Sequence, residues 1–305
     1  MKKNQLAGVN LKRPIRLAKR FLPKNRWGDH IVSLLNFFQF HARLPKKVGG
    51  DLSDALFSIK ASNEILDPLR VFVSDKHYVK LFVKATIGDL YNVPTNAVLG
   101  SYEEALSYEY PKDCVIKPTH MSGEVMFRKN GSDLDFTKIA RWFESNYYTR
   151  YREANYKSLK PKLIIEPYIF GGESCEDYKI FCVNGEPRLI WVDFDRQSDH
   201  RRNLYTTDWE LLPVSVNFEQ GHNVPRPVNL KEMLRVAREL SCDFSFIRVD
   251  LYSSGKEVLV GELTNCSGNA NEKIMPAENA SIVTDLLFGP EREGASYAHF
   301  RPVAE

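Results

Sequence analysis

The sequence predicts an α+β protein with a helix-rich N-terminal region and later segments in which short strands pair through tight turns. Three observations lead to this fold class. Apolar residues recur at helical spacing in residues 27–44 and 52–61. The Asn-Gly pair at 184–185 separates two strand-like runs, which is a strong hairpin signal, and the Asn-Gly turn at 130–131 closes another strand-like run. A further hairpin is predicted over 246–268, where the runs FIRVDLY and EVLVGEL flank the turn residues SSGK.

Residues 1–26 are a predicted basic leader. They contain nine Lys or Arg residues and no acid, whereas the rest of the chain carries 33 basic and 39 acidic residues. A basic segment on an acidic body suggests contact with an anionic partner, either a lipid surface or a polyanionic glycan precursor. A tail that is merely solvated would have the same composition. Nucleic acid is not expected among the partners.

The apolar runs and the cysteines indicate in which cell compartment the protein is expected. The run IVSLLNFFQF at 31–40 is too short to span a bilayer and is interrupted by polar residues. The N-terminus lacks the apolar stretch of a secretory signal, and the five cysteines form no CxxC pair. We therefore expect a cytoplasmic protein with reduced thiols, and the leader suggests a place at the inner face of the membrane.

Residues 27–100 are predicted as an N-terminal helical domain with an α/β join. The first helix covers 27–44 and ends before Pro45. Asp51 precedes the run LSDALFSIKA in the position of an N-cap. Asp75 likewise precedes a helical run that ends near Gly88, and Ser101 opens a short helix with a capping-box pattern.

Residues 101–170 and 171–305 are predicted as two further α+β regions. In the first, CVIKP (114–118) and EVMFRK are predicted strands, followed by a helix over 135–148 and the strand KLIIEPYI. In the second, two strands meet at the turn 184–185, and SDHRRN (198–203) is predicted as a polar loop. A helix over 230–240, the hairpin at 246–268 and a short helix after 280 complete the chain.

The hairpin at 246–268 carries the first candidate chemistry. Pairing across its turn can bring Asp250 and Glu262 side by side on one face, and Arg248 shares the face of Asp250. Two neighbouring carboxylates repel unless a cation or a proton lies between them, and Mg²⁺ prefers such oxygen ligands together with nucleotide phosphates. The same acids would also suit a solvated hairpin edge, so this stretch alone leaves both interpretations open.

Basic residues upstream add to this site. Lys76 and Lys80 lie four residues apart on one helical face. Lys117 ends a strand before a small loop that contains Ser122 and Gly123. A lysine can reach phosphate oxygens as a point charge, and the backbone N–H groups of a loop with glycine can approach them closely.

Five motifs in this order resemble the ATP-grasp superfamily: DKxxxK at 75–80, VIKP at 115–118, Glu166 with Glu173 seven residues later, RxD at 248–250, and Glu262. More narrowly, SDKHYVKLFVKATIG, KPTHMSG and FIRVDLYSSGKEVLVGELT resemble the TupA-like ATP-grasp family of polysaccharide and teichuronopeptide biosynthesis. The resemblance implies an ATP-grasp fold with the nucleotide held between two α+β subdomains. Residues 101–170 would form the small lid subdomain, and residues 171–305 the large subdomain with the metal and acceptor site.

The resemblance also implies a role for each candidate residue. ATP would be bound, through its phosphates, adenine and ribose, by the following residues: Lys80, Lys117, Ser122, Gly123, Glu166, Tyr168, Ile169, Glu173 and Lys179. Mg²⁺ would be held by Asp250, Glu262 and Asn265. The catalytic set, which meets the charge of the transferred phosphoryl group and of an anionic acceptor, would be Arg248, Arg196, His200 and Arg202. Many relatives have Glu-x-Asn, whereas two residues separate Asn265 from Glu262 here, so the third ligand departs from the pattern.

The function implied by the resemblance is an ATP- and Mg²⁺-dependent carboxylate–amine ligase that works through an acyl phosphate. It would join an amino acid to a uronic acid of a surface polysaccharide, such as a capsule, or of its precursor. The alternatives are a glycosyltransferase or sugar kinase of the same pathway, and a binding protein that has kept a nucleotide site. Four tyrosines at 147–156 are expected to pack a connection between subdomains, with a sugar-stacking platform as the alternative.

Overall fold

The computed structural model describes residue 19 and residues 21–47, 50–172, 176–194 and 199–289. Its helices are α1 (Arg26–His41), α2 (Leu52–Ala61), α3 (Pro68–Ser74), α4 (Tyr78–Ile87), α5 (Tyr102–Ser107), α6 (Phe136–Glu144), α7 (Tyr147–Tyr151), α8 (Leu230–Ser241) and α9 (Ala280–Phe288). Its strands are β1 (Ala97–Leu99), β2 (Cys114–Pro118), β3 (Met126–Arg128), β4 (Leu163–Glu166), β5 (Asp177–Val183), β6 (Glu186–Phe194), β7 (Arg201–Tyr205), β8 (Ser215–Val216), β9 (Phe246–Ser253), β10 (Val258–Thr264) and β11 (Ile274–Met275).

Two of the predicted helix starts are confirmed by their caps, whereas the helix predicted after Asp75 starts at Tyr78 without a side-chain cap at its N-cap residue. Asp51 accepts from the backbone N–H of Asp54, whose side chain accepts in return from the N–H of Asp51. Ser101 accepts from the N–H of Glu104 at the start of α5. Helix α3 was not predicted, although it has a clear start signal in the capping side chain of Asp67 followed by proline at its first position.

A four-stranded antiparallel sheet has the order β1-β4-β2-β3. β2 and β3 pair across the loop 119–125, and the predicted turn at Asn130-Gly131 follows β3, with positive φ at both residues. β1, at 97–99, belongs to this sheet by its pairing with β4. The division of the chain into subdomains at residues 100 and 170 stays a prediction.

A five-stranded antiparallel sheet has the order β10-β9-β5-β6-β7. The predicted turn at Asn184-Gly185 joins β5 to β6, again with positive φ at both positions. The predicted hairpin at 246–268 supplies β9 and β10, whose strands pair through Ser253 and Val258. A third, two-stranded sheet pairs β8 with β11.

Two expectations about local structure were wrong. Part of the predicted polar loop at 198–203 is strand β7, which pairs with β6 from Arg201 to Tyr205. The polar sequence did not indicate a strand, because Arg202 is buried against Asp193 on the neighbouring strand rather than solvated. The predicted helix over 135–148 is two helices, since Asn146 caps the N–H of Thr149 and starts α7 as a separate element.

The two faces of the five-stranded sheet are covered by different helices. Successive residues of β5 alternate between them, so Ile180 packs in the apolar cluster with α4 and α8, and Phe181 in the cluster with α2 and α9. Asp177 and Lys179 share the face of Phe181 by the same alternation. Asp177 and Lys179 therefore lie on the same face of the sheet as the apolar cluster with α2 and α9, next to that cluster. The candidate site is on this face.

Candidate functional site

Three charged residues face one another across neighbouring strands. Lys179 on β5 is paired with Asp250 on β9, and Asp250 is paired with Glu262 on β10. The last pairing depends on a register shift between Val260 and Glu262, which leaves Gly261 as an extra residue. Without this bulge, the side chain of Glu262 would point to the opposite face of the sheet. The bulge therefore confirms and explains the predicted juxtaposition of Asp250 with Glu262.

Arg248 lies at the centre of this group and is almost fully buried. Its guanidinium donates to both oxygens of Asp250, at 2.6 and 2.7 Å, and to Glu262 Oε1 at 3.2 Å. It also donates to Thr264 Oγ1 at 3.1 Å and to Ser267 Oγ at 2.7 Å. This network fixes the plane of the guanidinium and draws both carboxylates to one cation.

A second row of charges lies beside the first on the same face. Asp177 on β5 is paired with Asp193 on β6, and Asp193 with Arg202 on β7. Arg202 donates to both oxygens of Asp193, at 2.5 and 2.8 Å, and Nε2 of His200 lies 3.5 Å from the same carboxylate. Lys179 links the two rows of charges, because its ammonium pairs with Asp177 of the second row and lies 3.2 Å from Asp250 of the first.

Lys80 and Lys117 converge on one carboxylate. Nζ of Lys80 lies 2.6 Å from Glu166 Oε1, and Nζ of Lys117 lies 2.7 Å from Glu166 Oε2. Glu166, at the end of β4, is buried, and the two ammonium groups lower the pKa of its carboxyl although burial alone would raise it. α4 and β2 thus bring two predicted phosphate-binding lysines to the same point. In this structure the anion between them is the carboxylate of Glu166.

The loop that follows β2 is tied to the start of α4. Asp75 accepts from the N–H of His77 and from the Thr119 hydroxyl at 3.0 Å, and it pairs with Lys162 at 3.1 Å. Lys76 donates to the carbonyl of Met121 in the same loop. These bonds hold Lys76 between the Lys80–Glu166–Lys117 group and the carboxylates of the large sheet.

Electrostatic effects agree with that position of Lys76. Burial alone would raise the pKa of Glu262, but the charges of Lys76 and Arg248 lower it to about 2. Burial raises the pKa of Asp250, against the pull of Arg248 and Lys179 and with a contribution from the facing Glu262. Glu262 is therefore ionised at any pH near neutrality and can serve as a cation ligand.

Comparison with known families decides the identity of this arrangement, because the model of the TupA-like ATP-grasp family matches residues 58–288. The chain belongs to the TupA-like ATP-grasp family. The predicted resemblance and the predicted fold class are thereby confirmed. The match begins within α2 and ends with α9, so it includes all three described sheets and every described residue of the site.

Solved structures to which the chain is similar include two D-alanine–D-alanine ligases and a D-cycloserine synthetase. D-alanine–D-alanine ligase from Bacillus anthracis is 15% identical, with 72% of this chain and 64% of that chain covered and a TM-score of 0.39. The Helicobacter pylori enzyme of the same name is 16% identical, with 66% and 53% covered and a TM-score of 0.37. D-cycloserine synthetase DcsG is 18% identical, with 67% and 66% covered and a TM-score of 0.36.

The chain of this TupA-like ATP-grasp protein therefore spans between 53% and 66% of the length of those three proteins. No curated protein matches the chain.

The fit of Glu262 and Asp250 of the TupA-like ATP-grasp protein to Mg²⁺ depends on which of their oxygens are already hydrogen-bonded. Oε1 of Glu262 accepts from Thr264 and Arg248, while the side chain keeps 31% of its surface exposed and its second oxygen accepts no hydrogen bond from a described residue. Within the described part of the chain, no three acidic, His or Cys side chains form a metal cluster by themselves. Mg²⁺ commonly takes one or two carboxylates together with substrate phosphates; Glu262 offers its second oxygen to that donor set, and Asp250, whose oxygens already accept from Arg248 and Lys179, lies beside it.

Asn265, predicted as the third metal ligand, is not placed for that role. It follows Leu263 on the face of the sheet opposite to Glu262 and is buried there. Its Oδ1 accepts from Arg70 at 2.9 Å, and its Nδ2 donates to the carbonyl of Arg70 and to the Ser74 hydroxyl. Both ends of the amide are therefore used to dock α3 against β10, and the prediction is corrected on this point.

This correction predicts that Asn265→Ala lowers stability without weakening nucleotide-metal binding. Loss of the amide leaves Arg70, a buried cation, with fewer partners, which costs about 1–3 kcal/mol in the free energy of unfolding. Thermal unfolding and calorimetry with Mg²⁺-ATP measure the two effects. Asn96→Ala at an exposed position serves as the control and should leave both quantities unchanged. A large loss of Mg²⁺-ATP affinity in Asn265→Ala would restore the ligand assignment.

The remaining predicted residues are placed as follows. Glu173 and Arg196 lie outside the described residues. Ser122 and Gly123 lie in the loop after β2, where Gly123 has a φ of +79° and open space around its Cα. Tyr168, two residues beyond Glu166, stacks near the Phe127 ring with centroids 6.1 Å apart, and Ile169 follows it in the connection to the large sheet. Their contacts with a nucleotide stay predictions.

Several residues that build the site were not among the predicted set. Lys76 was predicted to share a helical face with Lys80 but was given no role in the site. Its charge nevertheless lowers the pKa of Glu262. Asp177 and Asp193, which hold Lys179 and Arg202, were also missed. The available signal was their position: each is an acid near one end of a strand and next to a run of apolar residues, where a partner across the sheet is needed to make a buried charge stable.

Proposed function

We propose that this TupA-like ATP-grasp protein is an ATP- and Mg²⁺-dependent carboxylate–amine ligase. The observation that carries the proposal is the meeting of two groups. Lys80 and Lys117 converge on one anion position, and Arg248 holds the facing carboxylates Asp250 and Glu262. Such an arrangement suits the phosphates and metal of a nucleotide. Membership in an ATP-grasp family supports the same class of activity.

The proposed chemistry needs charge compensation at one point. A carboxylate is a poor acyl donor until one of its oxygens becomes part of a leaving group. Transfer of the γ-phosphoryl group to a substrate carboxylate releases ADP, and attack of an amine on the acyl carbon then forms the C–N bond and expels phosphate. Arg248 would stabilise the negative charge that develops in both steps, while Asp250 and Glu262 would hold the metal that such phosphates require.

Nucleotide binding would displace Glu166 from its two lysines. The carboxylate of Glu166 bridges Lys80 and Lys117 in this structure, and the phosphates of ATP carry the charge to replace it there. The lid role of residues 101–170, the acceptor role of Arg202 and His200, and ribose contacts at Glu173 are part of the same proposal. The acyl donor proposed is a uronic acid of a surface polysaccharide or its precursor, and the amine is an amino acid.

The test is the dependence of nucleotide cleavage on both substrates. Purified protein is incubated with Mg²⁺-ATP, with a panel of uronic acids and with a panel of amino acids, and ADP, phosphate and amide product are measured together. The ligase predicts ADP and phosphate in equal amounts only when both a carboxylate and an amine are present. A phosphorylated sugar would instead indicate a sugar kinase, and a reaction that needs a nucleotide sugar and no ATP would contradict the proposal.

We also propose that the leader and α1 contact an anionic membrane surface from the cytoplasmic side. No described helix is long and apolar enough to cross a membrane. α1 exposes Trp27 (63%) and Phe38 (42%), with the half-buried Ile31 and Leu34 between them at helical spacing. Lys19, at the end of the leader, donates to the side chains of Asn36 and Gln39 on another face of α1. Basic charge beside exposed aromatic side chains is typical of a helix that lies in a bilayer interface.

The double variant Trp27→Ser with Phe38→Ser is predicted to bind vesicles at least about tenfold more weakly, because insertion of the two rings supplies apolar burial that the basic residues alone do not. Flotation with vesicles of phosphatidylglycerol and phosphatidylcholine measures the binding, and added salt should weaken it in both proteins. Leu90→Ser, at a position 91% exposed outside α1, is the control and should bind normally. Equal flotation of all three proteins would contradict this contact.

A further inference from the structure

Glu153 is a buried carboxylate that lacks a cation. Its residue surface is 5% exposed, and it forms no ion pair with any residue in the described part of the chain. The other buried acids have partners: Asp29 with Arg152, Asp54 with Arg43, Asp75 with Lys162, Glu166 with Lys80 and Lys117, Asp177 with Lys179, Asp193 with Arg202, and Asp250 with Arg248. Glu272 accepts from Ser267 and Asn217 instead. An ionised carboxylate buried without such compensation is costly, and it marks a site that a ligand can complete.

The backbone on both sides of Glu153 is held in place. Arg152, with a φ of +55°, donates to Asp29 at 3.0 Å and to the carbonyl of Leu22 at 2.9 Å. Asn155 donates to the Ser74 hydroxyl at 2.8 Å. These bonds attach the segment to α1 and α3, so the carboxylate of Glu153 cannot turn out to water without breaking buried contacts. The segment thus maintains an unpaired charge at a fixed place.

A cluster of tyrosine rings lies beside Glu153, and Tyr147 is hydrogen-bonded to its carboxylate. The ring of Tyr147 lies 4.6 Å from that of Tyr156 and 4.5 Å from that of Tyr151, measured between centroids. Burial raises the pKa of both Tyr147 and Tyr156, and the charges of Glu153 and Glu262 raise it further. The charges of both Glu153 and Glu262 therefore act on the tyrosine cluster.

Lys60 is the nearest candidate to neutralise Glu153, but its ammonium is engaged elsewhere. It donates to the carbonyl of Tyr151 at 3.1 Å and to the side chain of Asn269. Burial consequently dominates at Glu153 and raises the pKa of its carboxyl to about 7, against the attraction of Lys60 and a hydrogen bond from Tyr147. A carboxyl with this property exchanges a proton near neutral pH.

We infer that Glu153 binds the ammonium group of the amine substrate beside Tyr147 and Tyr156 and accepts its proton before attack. This inference rests on the proposed ligase function and names the residues that would handle its second substrate. A primary ammonium ion supplies the missing positive charge, and aromatic faces add cation–π attraction in a desolvated place. The same rings can contact the carbon skeleton of the amine.

The proton balance of the step is complete. R–NH₃⁺ gives one proton to the carboxylate of Glu153 and becomes R–NH₂, which attacks the acyl carbon. The C–N bond forms, the bond from that carbon to the phosphate oxygen breaks, and the phosphate leaves. The second nitrogen proton leaves with the phosphate, and Glu153 returns its proton to solvent. An amine that is already neutral at pH 7, such as hydroxylamine, needs no proton acceptor.

The experiment compares wild type with Glu153→Gln and Glu153→Asp. In the binding arm, each protein with Mg²⁺-ADP receives the common L-amino acids one at a time, and thermal unfolding is followed. We expect at least one amino acid to raise the Tm of wild type and of Glu153→Asp, and none to raise that of Glu153→Gln. A shift of the same size in Glu153→Gln, or no shift with wild type, overturns the assignment.

The reaction arm separates this inference from the proposed function. With Mg²⁺-ATP and uronic acids, hydroxylamine traps an acyl phosphate as a hydroxamate. We expect wild type and Glu153→Gln to form hydroxamate at similar rates, while kcat/KM for the amino acid found above falls at least about 100-fold in the variant. Asp54→Asn, a buried acid paired with Arg43 at the start of α2, is the matched control and should keep amino-acid use. Equal loss of both products in Glu153→Gln overturns the role of Glu153, whereas a wild type that forms no hydroxamate overturns the ligase itself and with it this inference.

Discussion

Glu262→Gln is expected to lower kcat/KM by about 100- to 1000-fold while leaving the fold intact. The glutamine keeps the shape of the side chain and can still accept from Thr264 and Arg248, so little packing is lost. What disappears is the negative charge, whose pKa of about 2 keeps it available as a cation ligand at neutral pH. Loss of one charged contact to a reacting phosphate group has effects of this size in other enzymes.

The measurement for Glu262→Gln is the rate of ADP release at several Mg²⁺ concentrations, with Tm recorded in parallel. Partial recovery at high Mg²⁺ is expected, because Asp250 and the phosphates would still bind the ion weakly. Glu257→Gln, an exposed acid in the turn of the same hairpin, is the control and should behave as wild type. Wild-type rates in Glu262→Gln would falsify its assignment as a metal ligand.

Arg248→Met is expected to have the second large effect, on both activity and stability. The change removes the cation that is bonded to both oxygens of Asp250 and also contacts Glu262, and it leaves a buried acid with Lys179 as its main partner. Breaking one side of a buried ion pair costs about 3–5 kcal/mol. Removal of an arginine that stabilises a transferred phosphoryl group lowers turnover by about 10³- to 10⁵-fold.

Thermal unfolding and single-turnover ADP formation separate the two losses in Arg248→Met. Arg248→Lys should recover part of the stability but little turnover, because one ammonium cannot donate to both oxygens of Asp250 in the geometry of a guanidinium. The control is Arg235→Met, since Arg235 pairs with Glu232 and Glu239 on the half-exposed face of α8. If Arg248→Met retained turnover at a temperature where it is folded, the proposed role of this arginine would be refuted.

Much of the fold could be predicted because its signals are local. The capping side chains of Asp51 and Ser101, and the Asn-Gly turns at 130–131 and 184–185, act within a few residues of chain. Such contacts form with the same geometry in any surrounding protein. The strand β7 was missed for the opposite reason. Arg202 is stable in a sheet only because Asp193 lies across from it, and that partner cannot be read from the local sequence.

The candidate site was predicted in part, and its errors follow from the sheet. Asp250 and Glu262 were expected to face each other, and they do. The same register places Asn265 on the other face, where Arg70 and Ser74 use its amide. A bulge at Gly261 decides which residues share a face, and no periodic pattern in the sequence locates such an extra residue with certainty.

The sequence by itself determined the family, the order of the phosphate-binding and acidic motifs, and the local elements on which they lie. Those features depend on residue type and short spacing, which the chain carries in any conformation. Only the tertiary structure decided that Lys80 and Lys117 share Glu166, that Arg248 joins two acids, and that Glu153 is buried without a cation. Burial and charge pairing depend on residues far apart in the chain, so they exist only after the sheets and helices have packed together.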